Sequence, residues 1–437
     1  MPTADFIART ATTLAWFYLA AAVLNGVAVW YAWRKIRDLR AALVWLGFAT
    51  VFGGLAAGAA AGCPLALPEW FKDGLDAALG PVTCTVGTFA VLVALFFGRQ
   101  FFVRPGVAWT IFNGSLVMMG ASLTDPEFAA TVTRPDNIPI VGMVYLLGLF
   151  TWLGAYQAVK NDQRLERGEP PIEKDYSDTV LVWPDVVYIE LIGMVLGTAL
   201  LIVWSLAVQA PLEQPANPAV TPNPSKAPWY FLGLQEMLVF FDPSIAGVIL
   251  PLLIIFGLMA IPYLDFNPQG SGYYTIRQRP FAYALFQFGF LQLWILLILI
   301  GTFFRGPNWN FFGLYEPRDP HKVLALNNIK LSEYFWVIWL NRGLPQAPSG
   351  AGVLVELAYI AWREIAGLVA LGAYFILLPL VLGRSLLDDL RRRMGAGRYT
   401  IFCLLLLMMF MLPIKMILRW TLNLSYILSI PEYFLNF

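Results

Sequence analysis

The chain has 437 residues, a formal net charge of +1, 59% hydrophobic residues and only 13% charged ones. A soluble domain needs about 25% charged residues to cover its surface, and a near-neutral chain lacks the electrostatic footprint that nucleic acid requires. The mean hydropathy of +0.65 and many apolar runs near the roughly 20 residues that cross a bilayer predict an all-α, polytopic transmembrane helical bundle.

In chain order, hydropathy predicts about ten spans, near residues 10–33, 41–62, 81–102, 106–123, 138–159, 184–209, 244–264, 281–304, 353–383 and 400–428. The first is too long for a signal-peptide core and has no small-residue cleavage site before the second, so no cleavable leader is expected. Basic clusters follow the odd-numbered spans: Arg34, Lys35, Arg37 and Arg40; Arg99 and Arg104; Lys160, Arg164, Arg167 and Lys174; Arg277 and Arg279; Arg384, Arg391, Arg392 and Arg393. All five fall on one side, which the positive-inside rule makes cytoplasmic. The loops at 63–80, 124–137, 211–243 and 305–352 then face outward. Both termini are expected on the outer, periplasmic side of a bacterial inner membrane. The chain divides into a five-span block without a chemical motif (1–160), a charged linker (161–183), a three-span block (184–305), a long outer loop (306–352) and two final spans (353–437).

Cys63 and Cys84 lie at the outer ends of the second and third spans. Oxidising compartments favour disulfides, and adjacent helix ends would bring the two within bonding range. A bridge is expected, the alternative being two small apolar packing residues. His321 is the one histidine, and no Cys-x-x-Cys-His motif is present. A bis-histidine haem needs two imidazoles, so neither a complete haem site nor a metal site is expected here. Glu356, Arg363 and Glu364 in the ninth span, and Lys415 and Arg419 beyond Pro413 in the tenth, are costly at depth unless paired. Ion pairs joining these two antiparallel helices are expected. Repeats and broken helices around a midplane site, the marks of a transporter, are not legible, which leaves a transporter as the weakest alternative.

The richest stretch runs from Ser225 to Glu236, Ser-Lys-Ala-Pro-Trp-Tyr-Phe-Leu-Gly-Leu-Gln-Glu, in a Pro-rich loop between two apolar segments. Pro228 would open a short helix. Trp229, Tyr230 and Phe231 are either interfacial anchors or the walls of a pocket, where the Tyr230 hydroxyl has a proton to donate. Glu236 is two turns beyond Trp229 and nearly on the same face. At the edge of an apolar pocket its pKa would rise and suit it to accept a proton; on the wet side of an interfacial helix it would be inert.

Around this stretch run Pro184-Asp185, Gly197-Thr198, Pro215-Ala216-Asn217-Pro218, Thr221-Pro222, Gly247, Ile261-Pro262-Tyr263-Leu264 and Arg277-Gln278-Arg279-Pro280. In order and spacing this resembles the C-terminal half of cytochrome b, which is a separate subunit IV in chloroplast-type complexes, here with extra helices at both ends. The family's Pro-Glu before Trp-Tyr is Ala227-Pro228 in this chain. The family's proton-accepting glutamate is therefore missing, and Glu236 is the candidate replacement. The resemblance implies a membrane subunit of a quinol:cytochrome c oxidoreductase that couples quinol oxidation to electron transfer and proton translocation. Quinol would bind at Pro228, Trp229, Tyr230 and Phe231 on the outer side, where the basic residues independently place this loop. Haem b would sit on a cytochrome b N-terminal-type partner. Electrons would pass to that haem and to a Rieske iron–sulfur protein and cytochrome c, within a dimeric multi-subunit complex in the lipid bilayer. The alternative is a quinone-binding anchor of another respiratory oxidoreductase.

Overall fold

The computed structural model describes residues 4–175, 179–208, 215–322 and 327–437. Parts of the predicted linker (176–178), of the Pro-rich loop (209–214) and of the long loop (323–326) lie outside the described residues. Among the described residues, eight helices are long and apolar enough to cross a membrane, or up to ten if each of two bent pairs is one span. The chain is a multi-pass membrane protein.

Helices α1 (Phe6–Lys35) and α2 (Leu39–Ala60) form an antiparallel hairpin. Arg37 turns it in the left-handed conformation (φ 58°), and the Asp38 side chain caps α2 by accepting the Arg40 and Ala41 N–H groups at 3.0 and 3.1 Å. Their core is Leu14, Tyr18, Ala21, Phe52 and Ala59. Helix α3 (Glu69–Ala78) meets α4 (Pro81–Phe97) at 84°, and α5 (Pro105–Ser122) meets α6 (Pro126–Val132) at 115°. Pro at the first helical position, after Gly80 and after the cap Asp125, starts a new helix rather than extending the old one. Hydropathy places span boundaries at both breaks, near residues 81 and 123, but reads α3 and α6 as outer loops rather than helices. Helix α5 leans on α1 at Gly120, where a Cβ would collide with the Tyr18 ring. Side-chain bonds join the same two helices: Asn25 Nδ2 donates to Asn113 Oδ1 at 2.6 Å, and Trp109 Nε1 to Asn25 Oδ1 at 2.9 Å. Polar contacts of this kind are favoured where lipid offers no partner.

Helix α7 (Ile138–Glu166) runs on past its predicted end near residue 159. The reason is polar anchoring at that end. Asp162, buried, accepts bonds from Thr275 Oγ1 at 2.5 Å and from the Ile276 and Arg277 N–H groups at 3.2 and 3.1 Å. Asn161 binds Glu173 and the Tyr274 carbonyl. The described part of the linker is thus tied to the loop that leads into a later span. Helix α8 (Val182–Ala207) has no buried residue at all.

Next come the short α9 (Trp229–Met237), then α10 (Ile245–Leu264) and α11 (Pro280–Phe304). Helix α9 packs across the end of α11. Gly301 allows this approach, because a Cβ there would lie 2.8 Å from Leu232 Cγ. Helix α4 packs on α11, where Gln292 Nε2 donates to the Thr85 carbonyl at 2.9 Å.

The expected ninth span is broken at Glu364 into α12 (Val353–Arg363) and α13 (Ile365–Leu382). Helix α14 (Ala396–Leu422) follows and contains Pro413. The expected pairs between these two helices do not form. The chain after α14 folds back against the start of α13, so closely that a Cβ on Gly367 would strike the Ile427 carbonyl. That segment, with the long outer loop, takes up most of the charges instead. Arg363 pairs with Glu432 at 2.7 Å and with Glu364 at 3.1 Å, and Glu364 Oε2 accepts the Ser429 N–H at 3.1 Å. Lys415 donates to the Ser425 carbonyl at 2.6 Å, and Arg419 to Asn328 Oδ1 at 2.5 Å. Neutral backbone and amide oxygens serve where carboxylates were expected.

The expected Cys63–Cys84 bridge is likewise not formed: Cys63 is exposed, Cys84 is buried, and both are free thiols. Cys63 follows α2, which packs on α1, whereas Cys84 belongs to the core that α4 shares with α11 and α14. The two side chains lie on different walls. In the folded protein a water-soluble maleimide should therefore label Cys63 and spare Cys84, and both should label after denaturation without reductant. Loss of both labels until reductant is added would show a bridge.

Candidate functional site

The Ser225–Glu236 stretch is seated by its own glutamine. Gln235 Oε1 accepts the Ala227 N–H at 2.7 Å, and Gln235 Nε2 donates to the Ser225 carbonyl at 2.8 Å. Pro228, extended at φ −52° and ψ 148°, then starts α9. Trp229, Tyr230 and Phe231 come out on its surface at 41%, 50% and 53% exposure. They form a continuous aromatic patch, with ring centroids 5.7 Å apart for Trp229–Tyr230 and 4.8 Å for Tyr230–Phe231.

Glu236, two turns beyond Trp229 on α9, is fully buried. It is neither on a wet surface nor at an open pocket edge. Its partner is Arg305, 6% exposed, directly after α11. Arg305 Nε donates to both carboxylate oxygens at 3.2 and 3.0 Å, and Nη2 to Oε1 at 2.5 Å. Burial pushes the Glu236 carboxyl above its ordinary range, while the guanidinium pulls it back; burial is the larger effect. The result is a carboxylate poised by two opposing forces.

Arg305 is itself held by a tight hairpin. Its Nη1 donates to the Trp309 carbonyl at 2.8 Å, and the Phe312 N–H donates to the Phe304 carbonyl at 2.8 Å. Asn308 and Trp309 turn the chain in the left-handed region, at φ 57° and 56°. The last carbonyls of α11 are met by cations, Lys226 at Thr302 (2.8 Å) and Arg318 at Phe303 (2.6 Å), as the negative end of a helix favours. Burial, with Arg318 and Arg134 nearby, lowers Lys226 to about 8.

The hairpin continues into the N-terminal block. Asp76 on α3 accepts the Tyr315 N–H at 3.1 and 3.2 Å. The Tyr315 hydroxyl bonds Ser122 at 2.8 Å, and its ring stacks on Phe128 of α6 at 5.5 Å. The bent ends of α3–α4 and α5–α6 thus clasp the loop that carries Arg305. Asp76→Ala leaves the Tyr315 N–H without an acceptor, a loss of about 1 to 3 kcal/mol. The expected result is a lower thermal midpoint and faster proteolysis within residues 306–322; unchanged cleavage would show that α3 does not hold the loop.

Arg305, Gln235, Lys226 and Asp76 were not singled out from the sequence. Arg305 had one visible signal: it is a lone cation immediately after an apolar span, on the side otherwise poor in basic residues. Trp229, Tyr230, Phe231 and Glu236 do share one helix, which Pro228 precedes, and Glu236 is buried. His321 is exposed, its N–H donating to Asp319 at 2.8 Å. A single histidine cannot supply the two axial imidazoles of a b-type haem. Among the described residues no group of three or more His, Cys, Asp or Glu side chains is placed to hold a metal.

Residues 215–314, which contain α9, α10, α11 and the Arg305 hairpin, match the cytochrome b (C-terminal)/b6/petD family. Pro184-Asp185 and Gly197-Thr198 lie outside that match, and membrane-capable helices flank it on both sides. Over 111 residues the chain is 32% identical to the menaquinol:cytochrome c reductase cytochrome c subunit of Geobacillus thermodenitrificans. That match takes 23% of this chain and 44% of the relative, so the chain spans under half the length of the curated relative it matches. No solved structure matches the chain.

Proposed function

Residues 215–314 being a cytochrome b C-terminal-type segment, we propose that this chain is a membrane subunit of a bc-type quinol:cytochrome c oxidoreductase. It contributes to the quinol-oxidation pocket on the outer side of a bacterial inner membrane. The observation that carries the reading is the exposed Trp229-Tyr230-Phe231 patch, in the family's register, on the same short helix as the buried Glu236 that pairs with Arg305. A quinol stacks against the aromatic patch, with Pro228 fixing the start of α9. On oxidation it loses two electrons and two protons. Glu236 accepts one proton in place of the missing motif glutamate, with Arg305 setting how readily it does so, and the other proton passes to water on the outer side. The electrons leave through centres on partners: haem b on a cytochrome b N-terminal-type subunit, and a Rieske iron–sulfur protein serving cytochrome c. The five N-terminal spans act as a clamp on the Arg305 loop.

The test is purification of the native complex through a tag on this chain. A b-haem subunit should copurify, the complex should reduce cytochrome c with quinol, and the isolated chain should show no b-type absorbance. Copurification with a different electron acceptor and no haem b would favour a quinone anchor of another oxidoreductase. A stoichiometric b-type spectrum from the isolated chain would place the haem on this chain, contrary to the proposal.

A further inference from the structure

At the end of the molecule that bears the basic clusters, a cleft of about 340 Å³ opens between residues 100–105 and the end of α7. Arg104, Lys160, Gln100, Gln163 and Tyr156 line it, over a floor of Val103 and Val159. The floor belongs to a small core that also includes Ala155, Ala158 and Ile276, so the cleft sits where the N-terminal block meets the loop before α11. Its charges are unbalanced. Asp162 is committed to Thr275, Ile276 and Arg277, Glu166 is paired with Arg277, and Arg164 is taken by Asp175 and Glu169. Arg104 and Lys160 have no ion pair among the described residues; each lies over a ring, Phe101 at 5.7 Å and Tyr156 at 5.8 Å. In the chain that leads into the cleft, Phe97 and Phe101 stand 77% and 51% exposed.

We propose that this cleft binds the phosphate headgroup of an anionic phospholipid, whose acyl chains run along Phe97 and Phe101. Arg104 supplies a forked guanidinium that fits phosphate oxygens, and Lys160 a second positive charge. The Gln100 and Gln163 amides are placed to meet a hydroxylated headgroup. Basic recesses between membrane helices attract anionic lipids, with each basic residue near the surface adding to the affinity. A zwitterionic lipid brings its own cation and gains nothing from this excess. The lipid fills the gap between residues 100–105 and the end of α7.

The test titrates the delipidated, detergent-purified full chain with phosphatidylglycerol or phosphatidylcholine and counts retained lipid by native mass spectrometry. One tight phosphatidylglycerol equivalent is expected, and none of phosphatidylcholine. Arg104→Gln with Lys160→Gln should weaken that equivalent roughly thirtyfold, while Arg34→Gln with Lys35→Gln, outside the cleft, should keep it. Equal retention by the cleft variant, or equal retention of the two lipids, overturns the proposal. Inorganic phosphate that binds the lipid-free chain through Arg104 and Lys160 more tightly than the lipid does would overturn the lipid as its source. Should the double variant fail to fold, a photoreactive phosphatidylglycerol on the unaltered chain decides: cross-links must map to residues 97–105 or 156–163, and cross-links elsewhere only would overturn it.

Discussion

Glu236→Gln should slow quinol oxidation by on the order of a hundredfold or more, the usual cost of losing a general base. Glutamine keeps the shape and can still accept a bond from Arg305, but it cannot take a proton. Quinol affinity should change little, because the exposed Trp229, Tyr230 and Phe231 side chains are left in place and the change is confined to the buried Glu236. The acidic limb of the pH–rate profile, which reports the carboxyl that must be ionised, should shift or vanish. A merely structural Glu236–Arg305 pair would give a different picture: lower stability with turnover per folded molecule and its pH profile unchanged.

Arg305→Met should be the more damaging change to stability. It leaves a fully buried carboxylate without its counter-charge, and breaking a buried pair from one side costs about 3 to 5 kcal/mol. The pH dependence has a definite sign. Without the guanidinium, the largest effect opposing burial is gone, leaving only Trp309 and the Lys226 charge, and the folded-state pKa of Glu236 rises further. A carboxyl with a raised folded-state pKa binds its proton in the folded protein over a range where the unfolded chain has released it. Its contribution is therefore present in full below the unfolded value, about 4.3, and is lost as pH rises through the folded one. The defect of Arg305→Met should accordingly be mild in acid and grow toward neutrality, read as the thermal midpoint at two or three pH values. Adding Glu236→Gln to Arg305→Met removes the stranded charge and should restore much of the stability without restoring turnover. If the single and double variants melt alike at every pH, the two side chains are not coupled.

Membrane class and the outline of the spans were legible without a structure, because hydropathy is local and sums along the chain. The Trp229-Tyr230-Phe231 patch and its helix were legible for the same reason: one contiguous stretch carries both the aromatic residues and the proline before them. Partner choice was not legible. Glu236 and Arg305 lie 69 positions apart and meet only because Gly301 lets α9 cross the end of α11. Lys415 and Arg419 were expected to find carboxylates, yet they found the Ser425 carbonyl and the Asn328 amide. Neutral acceptors of this kind carry no mark in a sequence, since any residue can present a carbonyl. Cys63 and Cys84 looked like neighbours because two span ends were read as adjacent, whereas packing sent α2 to α1 and α4 to α11. The break at Glu364, inside the predicted ninth span, was invisible to a hydropathy window, which averages over a bend, and the short helices α3 and α6 were read as loops because they are too short and too polar to cross. Composition and pattern determined which segments enter the membrane and where the aromatic site lies. Tertiary structure decided which helix ends meet and so which buried charges face each other, because that depends on close approach between segments distant in the chain.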